Sequence, residues 1–365
     1  AAMARYLGPC GTKPAPQPRC VFVGPFPEPV HGQSVATLTL SRILKQRRFH
    51  LSKYDDSGAF CRRFANALET MRAIIARKND YVYCSVNSKY GLILTIAYVT
   101  ITTVMRKPLF LHHHSFRYIG NYNIFMQLLA IAATKTAIHI CNCPQMEILL
   151  RKKYKRIEKT LPLSNIGSVD SALRPASRPD RPLTIGHLSN LTEEKGIGRV
   201  FSAFDDLRDA GIDARLEIAG PAGDDFARAA LKAAESKYGP RFSYHGPVYG
   251  KSKQAFFDRI DIFAFPSLYP TETQGIVNLE ALACGKPVIA FDQCCIGDDI
   301  GKTGGVAVPK SADFGAELVK FSKRFLRDSA QIAALARQRY DELEREYQKQ
   351  IDNLCDRMSI VTQYN

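Results

Sequence analysis

The sequence predicts an α/β protein with two Rossmann-like, doubly wound parallel sheets, one in each half of the chain. Short apolar runs of strand length alternate with segments of helix length, which is the pattern of parallel strands covered by helices. The pattern stops in a polar stretch with two prolines, residues 165–180, and then begins again. The chain has 365 residues, enough for two domains that each have a full hydrophobic core.

The first half starts with a proline-rich segment, residues 1–18, which we expect to be disordered. After it, apolar runs predict strands, and apolar residues at helical spacing predict the helices between them. The predicted strands are 19–24, 51–54, 81–85, 108–114, 137–143 and 159–163, and the predicted helices are 34–46, 59–77, 90–105, 124–134 and 144–154. Residues 19–170 are therefore predicted as one domain.

The second half repeats the alternation, and residues 171–350 are predicted as the second domain. Its predicted strands are 183–188, 214–219, 242–245, 262–266, 288–290 and 306–308. Its predicted helices begin at residue 199 and after residue 275, and span 226–238, 251–259, 313–327 and 330–350. The last segment, residues 351–365, is amphipathic and is a candidate to pack back on the first domain.

The stretch 267–285 carries the strongest functional signal. Glu272 lies in the loop that follows a buried strand, at the carboxyl end of the sheet, where open α/β folds bind ligands. The amides of Gly275 and Ile276 begin the next helix, and free N–H groups and the helix dipole attract phosphate there. Glu280 lies one and a half turns further on. Two carboxylates that flank an anion site suit a ligand with hydroxyls on both sides of a phosphate, such as a nucleotide sugar.

A second anion site is predicted where Lys195-Gly196 stands between a strand and a helix. The ammonium can reach a phosphate that helix amides meet from the other side; the alternative is an ordinary surface lysine. In the first half, Gly32 follows the first strand as a weaker phosphate-loop candidate. No G-x-G-x-x-G follows that strand, which counts against a nicotinamide dehydrogenase.

Three histidines, His112, His113 and His114, end a predicted strand. Because side chains alternate across a strand, His112 and His114 should share one face. Each could be a hydrogen-bonded structural residue, His112 and His114 could bind a metal although no third ligand is visible, or one could face a ligand at the carboxyl end of the strand. We favour His114 for the ligand-facing role because it stands nearest the loop.

The net charge of +15 is unevenly distributed. Residues 1–170 hold 24 Lys and Arg against 8 Asp and Glu, whereas residues 171–365 hold 26 against 27. The excess indicates either ordinary solvated helix faces or a basic face toward an anionic membrane or acceptor. No nucleic-acid-binding signature accompanies the charge, so we expect no nucleic acid partner.

We expect no metal and no cofactor. No Asp-x-Asp pair occurs in the chain, and its ten cysteines lack the paired spacing of structural zinc sites. The first 18 residues lack the apolar core of a signal peptide, and the apolar stretch 91–105 is shorter than a membrane span. The expected location is therefore the cytoplasm, and the basic first half leaves open a peripheral location on the inner face of the cytoplasmic membrane.

Together, these motifs resemble the family 4 retaining glycosyltransferases, whose GT-B fold has two Rossmann-like domains facing a cleft. The resemblance covers about residues 19–350 and is most specific in the second half, which would bind the nucleotide sugar while the first half lies on the acceptor side. The matching positions there are Pro266-Ser267, Glu272, Gly275, Leu279-Glu280-Ala281, Gly285, Pro287–Ala290, the turn 189–196 and the loop Gly246–Val248. In the first half, Gly32-Gln33 corresponds to a double-glycine loop and His114 to an active-site histidine.

The resemblance implies a role for each matching residue. Glu280 would bind the ribose hydroxyls and Glu272 the hydroxyls of the transferred sugar. Lys195 would hold the diphosphate together with the amides after Gly275, and Val248 would lie beside the base.

Other implied positions come with departures from the family pattern. His114 would touch the sugar near its reacting carbon. Asn190 stands where many members have an arginine on the diphosphate, so a bidentate, always-charged partner is lost. Gln33 replaces the second glycine of the donor loop.

The implied activity is transfer of a sugar, with retention and without a metal, from a nucleotide diphosphate sugar to a glycan or lipid-linked acceptor in the synthesis of a surface polysaccharide or glycoconjugate. Two alternatives stay open. One is a nucleotide-sugar epimerase or hydrolase of the same fold. The other is a non-catalytic basic module that binds a membrane or a polyanion.

Overall fold

The computed structural model describes residues 19–26, 32–58, 60–76, 78–88, 91–177 and 181–360. The predicted disordered tail, residues 1–18, and the end of the C-terminal segment lie outside these ranges. The chain divides into two compact units, residues 1–168 with 345–365, and residues 169–344. The domains predicted from the sequence instead span residues 19–170 and 171–350.

The first unit contains a six-stranded, fully parallel sheet in the order β2-β1-β3-β4-β5-β6. The strands are β1 (Arg19–Gly24), β2 (His50–Asp55), β3 (Tyr81–Val86), β4 (Leu109–His113), β5 (Ile138–Cys141) and β6 (Lys159–Pro162). The helices are α1 (Gly32–Gln46), α2 (Phe60–Ile75), α3 (Gly91–Val104), α4 (Arg117–Gly120), α5 (Ile124–Ala132) and α6 (Pro144–Lys153). Strands β3 and β4 are buried along their whole length, which explains why their apolar residues are not confined to alternate positions.

The second unit contains a second six-stranded parallel sheet, in the order β12-β11-β10-β7-β8-β9. The strands are β7 (Leu183–Leu188), β8 (Ala214–Ala219), β9 (Phe242–Tyr244), β10 (Ile262–Phe265), β11 (Val288–Phe291) and β12 (Gly305–Val308). The helices are α7 (Ile197–Asp209), α8 (Asp225–Tyr238), α9 (Lys251–Arg259), α10 (Ile276–Ala283), α11 (Ile296–Ile300) and α12 (Phe314–Ile360). The prediction of two doubly wound parallel sheets is confirmed.

Strand order places the functional loops of the second unit. Strand β7 lies between β8 and β10, so the chain changes direction across the sheet at β7. In open α/β sheets, ligands bind beside the carboxyl ends of the strands at such a reversal. The loops that follow β7 and β10, residues 189–196 and 266–275, are the two that meet there.

Helix α12 differs from the sequence-based expectation. The sequence predicts two helices, 313–327 and 330–350, whereas one element runs from Phe314 to Ile360 with non-helical backbone angles at Asp328. Its last part, from Arg345 onward, belongs to the first unit. There, the Gln350 side chain accepts a hydrogen bond from the Ser164 amide over 2.9 Å, which explains why the unit boundary falls before residue 350.

Candidate functional site

The loops after β7 and β10 touch because one residue is a glycine. Gly196 has a left-handed φ of +90°, and a Cβ atom at this position would lie 2.3 Å from the carbonyl oxygen of Pro266. Close by, the Leu268 amide donates to the Glu194 carbonyl over 3.1 Å. Only glycine combines this backbone conformation with so close an approach. The Lys195-Gly196 turn is thereby held against the end of β10.

Lys195 and Glu272 form an ion pair within this crevice, and both side chains are mostly buried. The Lys195 ammonium also lies 4.5 Å from the centroid of the Tyr269 ring, a cation–π distance. The Lys195 amide donates to the Thr192 hydroxyl over 3.2 Å. Two residues that the resemblance assigns to different parts of a donor are therefore each other's partner here.

The loop that carries Glu272 is braced by Gln293, a buried residue that the sequence analysis missed. The Gln293 side-chain amide donates to the carbonyl of Tyr269 over 2.8 Å and to that of Glu272 over 3.2 Å. The Glu272 amide closes the turn by donating to the Tyr269 carbonyl over 3.0 Å. Gln293 follows β11 at the carboxyl end of the sheet, and that position is the signal that could have identified it.

Helix α10 begins at Ile276, directly after Gly275. Gly275, the N-cap residue, has a φ of +63° and no side chain with which to cap the helix. A Cβ atom at position 275 would lie 2.8 Å from Nδ2 of the buried Asn278. The N-cap residue therefore supplies no acceptor to the first amides of α10, and amides at a helix N-terminus are groups that can bind an anion.

Glu280 is paired with Lys253, a residue that the sequence analysis did not identify. The Lys253 ammonium lies 2.7 Å from Oε1 of Glu280, and the side chains are 21% and 5% exposed, respectively. Burial raises the pKa of Glu280, and Lys253 opposes that shift. The other oxygen, Oε2, is buried and has no hydrogen-bond partner among the described residues. Buried polar atoms are normally hydrogen-bonded, so this oxygen is suited to a hydroxyl donor from outside the chain.

His187 supports the start of the β7 loop. One ring nitrogen, Nδ1, lies 2.8 Å from the Ala264 carbonyl, and the other, Nε2, lies 2.9 Å from the Ser189 hydroxyl. A carbonyl only accepts, so Nδ1 carries the proton and Nε2 accepts from Ser189. Burial lowers the pKa of His187 to about 4. The neutral ring therefore fixes Ser189, the residue before Asn190.

Asn190 and Val248 lie on the loops after β7 and β9, at the same edge of the second sheet and separated by the loop after β8. Asn190 is exposed immediately after the β7 strand end, and Val248 is buried in the loop after β9. The two loops are joined through the loop after β8, because the Gly220 amide donates to the Gly246 carbonyl over 2.7 Å. Both predicted binding residues of these loops therefore stand at the carboxyl edge of the second sheet.

In the first unit, the three histidines separate as the strand alternation predicts. The rings of His112 and His114 lie 3.9 Å apart, whereas His113 contacts Tyr118 and, over 2.9 Å, His139. His112 is buried and its Nδ1 lies 2.7 Å from the Tyr83 hydroxyl. His114 is only partly buried and lies just past the end of β4.

Gly32 and Gln33 open helix α1. The Gln33 side-chain amide donates to the Ser85 hydroxyl over 2.9 Å and to the Val86 carbonyl over 3.4 Å. Both acceptors belong to the end of β3. The Gln33 side chain is therefore anchored at the carboxyl edge of the first sheet.

Two units of this kind, each with a six-stranded parallel sheet, define the GT-B class of α/β proteins. Sucrose-phosphate synthase from Thermosynechococcus elongatus is similar over 94% of this chain and 100% of its own, with a TM-score of 0.73 and 16% identity. HepE of Anabaena, in a complex with UDP and glucose, is similar over 96% and 100%, with a TM-score of 0.69 and 16% identity. A glycosyltransferase from Rickettsia africae has the same coverage and TM-score at 14% identity. At these identities the likeness shows the fold alone.

The sequence of the second unit also matches a family model. Residues 170–339 match the family described as glycosyl transferases group 1. This match includes the loops after β7 and β10 and the whole of α10. No curated protein sequence matches the chain.

Proposed function

We propose that this protein is a family 4 retaining glycosyltransferase that takes its sugar from a nucleotide diphosphate donor. The observation that carries the proposal is the carboxylate of Glu280. One of its oxygens binds Lys253 over 2.7 Å, while the other is buried without a partner among the described residues. A ribose hydroxyl would satisfy that oxygen. Glu280 belongs to α10, the helix whose N-terminal amides would bind the diphosphate.

The ion pair between Lys195 and Glu272 gives the donor a way to organise its own site. The diphosphate carries more charge than a carboxylate, so it would compete with Glu272 for the Lys195 ammonium. Glu272 would then be released to accept hydrogen bonds from the hydroxyls of the transferred sugar. As the bond to the sugar breaks, Lys195 and the α10 amides would stabilise the leaving diphosphate electrostatically.

The remaining residues keep the roles that the resemblance implies. His114 would touch the sugar near the reacting carbon, Val248 would lie beside the base, and Gly32 and Gln33 would belong to the donor loop. Asn190 offers no charge to the diphosphate, so donor binding would be weaker than with an arginine.

Uridine is the base to test first, because HepE, a protein of the same fold, is seen with UDP and glucose. The acceptor would be a glycan or a lipid-linked glycan of a surface polysaccharide or glycoconjugate pathway, and the protein would be peripheral on an anionic membrane. Transfer would proceed without a metal, since the positive charge on the diphosphate would come from Lys195 and the helix amides.

A ligand screen tests the donor site directly. We expect UDP-glucose or a related UDP-sugar to stabilise the protein against heat more than GDP- and ADP-sugars do. A donor at 100 times its Kd contributes about 2.7 kcal/mol. Glu280→Gln should reduce this shift, whereas Glu235→Gln, which changes an exposed glutamate on α8, should not. No stabilisation by any nucleotide sugar would refute the proposal.

Product analysis separates the proposal from the two alternatives. A glycosyltransferase yields a glycosylated acceptor of unchanged anomeric configuration, an epimerase an altered nucleotide sugar, and a hydrolase free sugar. Lys195→Ala and Glu272→Ala should each lower turnover by roughly 100-fold, the loss of one electrostatic contact of about 3 kcal/mol. Wild-type turnover in both variants would show that the assigned roles are wrong.

A further inference from the structure

Three neighbouring helices of the first unit expose apolar side chains to solvent. Helix α3 packs against both α2 and α5. We call the exposed residues of these helices the apolar face; they are Phe64, Leu68, Ile75, Ile93, Val104, Ile124, Phe125, Leu128 and Ile131. The described ranges contain no helix that is long and apolar enough to cross a membrane.

Helix α5 shows the feature most clearly. Met126 and Leu129 are buried, while Ile124, Leu128 and Ile131 are exposed at helical spacing. Neither α3 nor α5 contains a charged residue. A surface helix of a soluble protein normally turns charged and polar residues to water. An apolar patch spread over adjacent helices therefore marks an interaction surface.

Basic residues lie at one end of the apolar face. The Thr103 hydroxyl donates to the Ala132 carbonyl over 2.8 Å, and the Lys107 ammonium donates to the Ala76 carbonyl over 2.6 Å. These bonds hold the C-terminal ends of α2, α3 and α5 side by side. Three exposed cations stand at or near these ends: Arg72, Lys78 and Arg106. The three helices contain one acidic residue, Glu69.

We propose that the apolar face docks on an anionic lipid bilayer. Its side chains would enter the boundary between head groups and acyl chains while the cations bind acidic head groups, as in interfacial amphipathic helices. A second copy of the chain fits less well, because residues 1–170 carry 24 basic against 8 acidic residues and two such halves repel each other. The inference deepens the proposed peripheral attachment and does not depend on glycosyl transfer.

Vesicle binding by the full chain tests this surface. We expect the protein to sediment with phosphatidylcholine vesicles that contain phosphatidylglycerol, and much less with phosphatidylcholine alone or in high salt. The double variant Phe125→Glu with Leu128→Glu should lower the affinity at least tenfold. Leu326→Glu is the matched control, because Leu326 is similarly exposed, 51% against 45% for Leu128, but lies on α12 in the other unit.

The charges are tested separately. Lys78→Glu with Arg106→Glu should also lower the affinity at least tenfold, whereas Lys232→Glu with Lys302→Glu, in the second unit, should not. An unchanged melting temperature and an unchanged shift with nucleotide sugar show that each variant is folded. Equal binding to neutral vesicles, no binding to anionic vesicles at low salt, or wild-type binding by the variants would overturn the proposal.

Three further outcomes separate membrane docking from self-association and from the proposed activity. A wild-type dimer that becomes monomeric in the Phe125 and Leu128 variant, detected by light scattering without vesicle binding, would show a self-association surface and overturn the proposal. If the variants lose vesicle binding but retain donor binding, the docking surface is supported independently of the catalytic site. Vesicle binding without donor binding in the wild type would overturn the proposed activity and support the docking surface.

Discussion

The Lys253 ammonium lies 2.7 Å from the carboxylate of Glu280, a side chain that is only 5% exposed. The pair joins α9 to α10 across 27 residues of sequence. Burial raises the pKa of Glu280, and Lys253 is the largest influence that lowers it. Lys253 therefore favours the charged form of a carboxyl group whose burial disfavours it.

Replacing Lys253 should destabilise the second unit. Lys253→Met leaves the Glu280 carboxylate without its partner, and a charged hydrogen bond of this kind contributes about 1.5–3 kcal/mol. We expect a loss of about that size in urea denaturation at neutral pH. Lys251→Met is the control, since Lys251 is exposed on the same helix. Equal losses in the two variants would mean that the pair does not stabilise the unit.

A variant that combines Lys253→Met with Glu280→Gln measures the interaction between these two side chains. In Lys253→Met with Glu280→Gln, the unpaired charge is gone, so the double variant should be more stable than Lys253→Met alone. Donor binding should stay weak in the double variant because the ribose acceptor is still missing. Simple additivity of the two losses would contradict coupling between Lys253 and Glu280.

Gly196 gives a second prediction, with a control inside the same chain. Gly196→Ala adds a Cβ atom 2.3 Å from the Pro266 carbonyl at a φ of +90°. Gly211→Ala adds one at a φ of +73° with nothing within 4 Å. The left-handed conformation alone costs roughly 1–2 kcal/mol, and overpacking adds about 1–3 kcal/mol more. We expect Gly196→Ala to be the more destabilising change by that increment in urea denaturation.

Donor binding by Gly196→Ala and Gly211→Ala tests the position of the Lys195 turn. Gly196→Ala should weaken donor binding because it moves the Lys195 turn away from the end of β10, whereas Gly211→Ala should bind donor as the wild type does. Equal stability of the two variants would show that the contact between the loops relaxes without strain.

Asp56 predicts a pH dependence of stability in the first unit. Burial raises its pKa from 3.8 to about 6, opposed by a hydrogen bond from the Asn87 side chain. Between these values the native state holds a proton that the unfolded chain has released. Stability from this group is therefore fully present below pH 3.8 and is lost as the pH rises through 6, by about 3 kcal/mol in total.

The variant Asp56→Asn tests this directly, because the amide cannot ionise and can still pair with Asn87. Its stability relative to wild type should increase by up to about 3 kcal/mol between pH 4 and pH 7.5 in urea denaturation. A difference that is the same at both pH values would show that Asp56 does not titrate in this range.

Local patterns predict the fold of this protein better than its site. All twelve strands of the described ranges lie where the sequence predicts them. The signal is strongest for central strands such as β3 and β4, which are buried along their whole length and are therefore rich in apolar residues. Helices α4 and α11 were missed, since four and five residues are too few to show a helical period. Glu272 and Glu280 could be predicted as site residues because the motif that contains them lies within one short stretch of sequence.

The missed site residues share a different property. Lys253 pairs across 27 residues, Gln293 across 21 and His187 across 77. Nothing in a local window indicates such partners, because they are determined by strand order and by the contact of loops at one sheet edge. The pairing of Lys195 with Glu272, across 77 residues, was missed for the same reason although both residues had been identified.

The last prediction restores the arginine that the resemblance expects. Asn190 is exposed at the edge of the β7 loop, so Asn190→Arg should fold as the wild type does. A guanidinium there would add a charge-assisted bond to the diphosphate, about 1.5–3 kcal/mol, or roughly 10- to 100-fold in donor affinity. Calorimetric titration with UDP-sugar measures this, with Asn190→Gln as the uncharged control. Should the arginine variant bind no more tightly than the glutamine control, the diphosphate does not lie beside this loop, and the assignment of Lys195 would need to be revised with it.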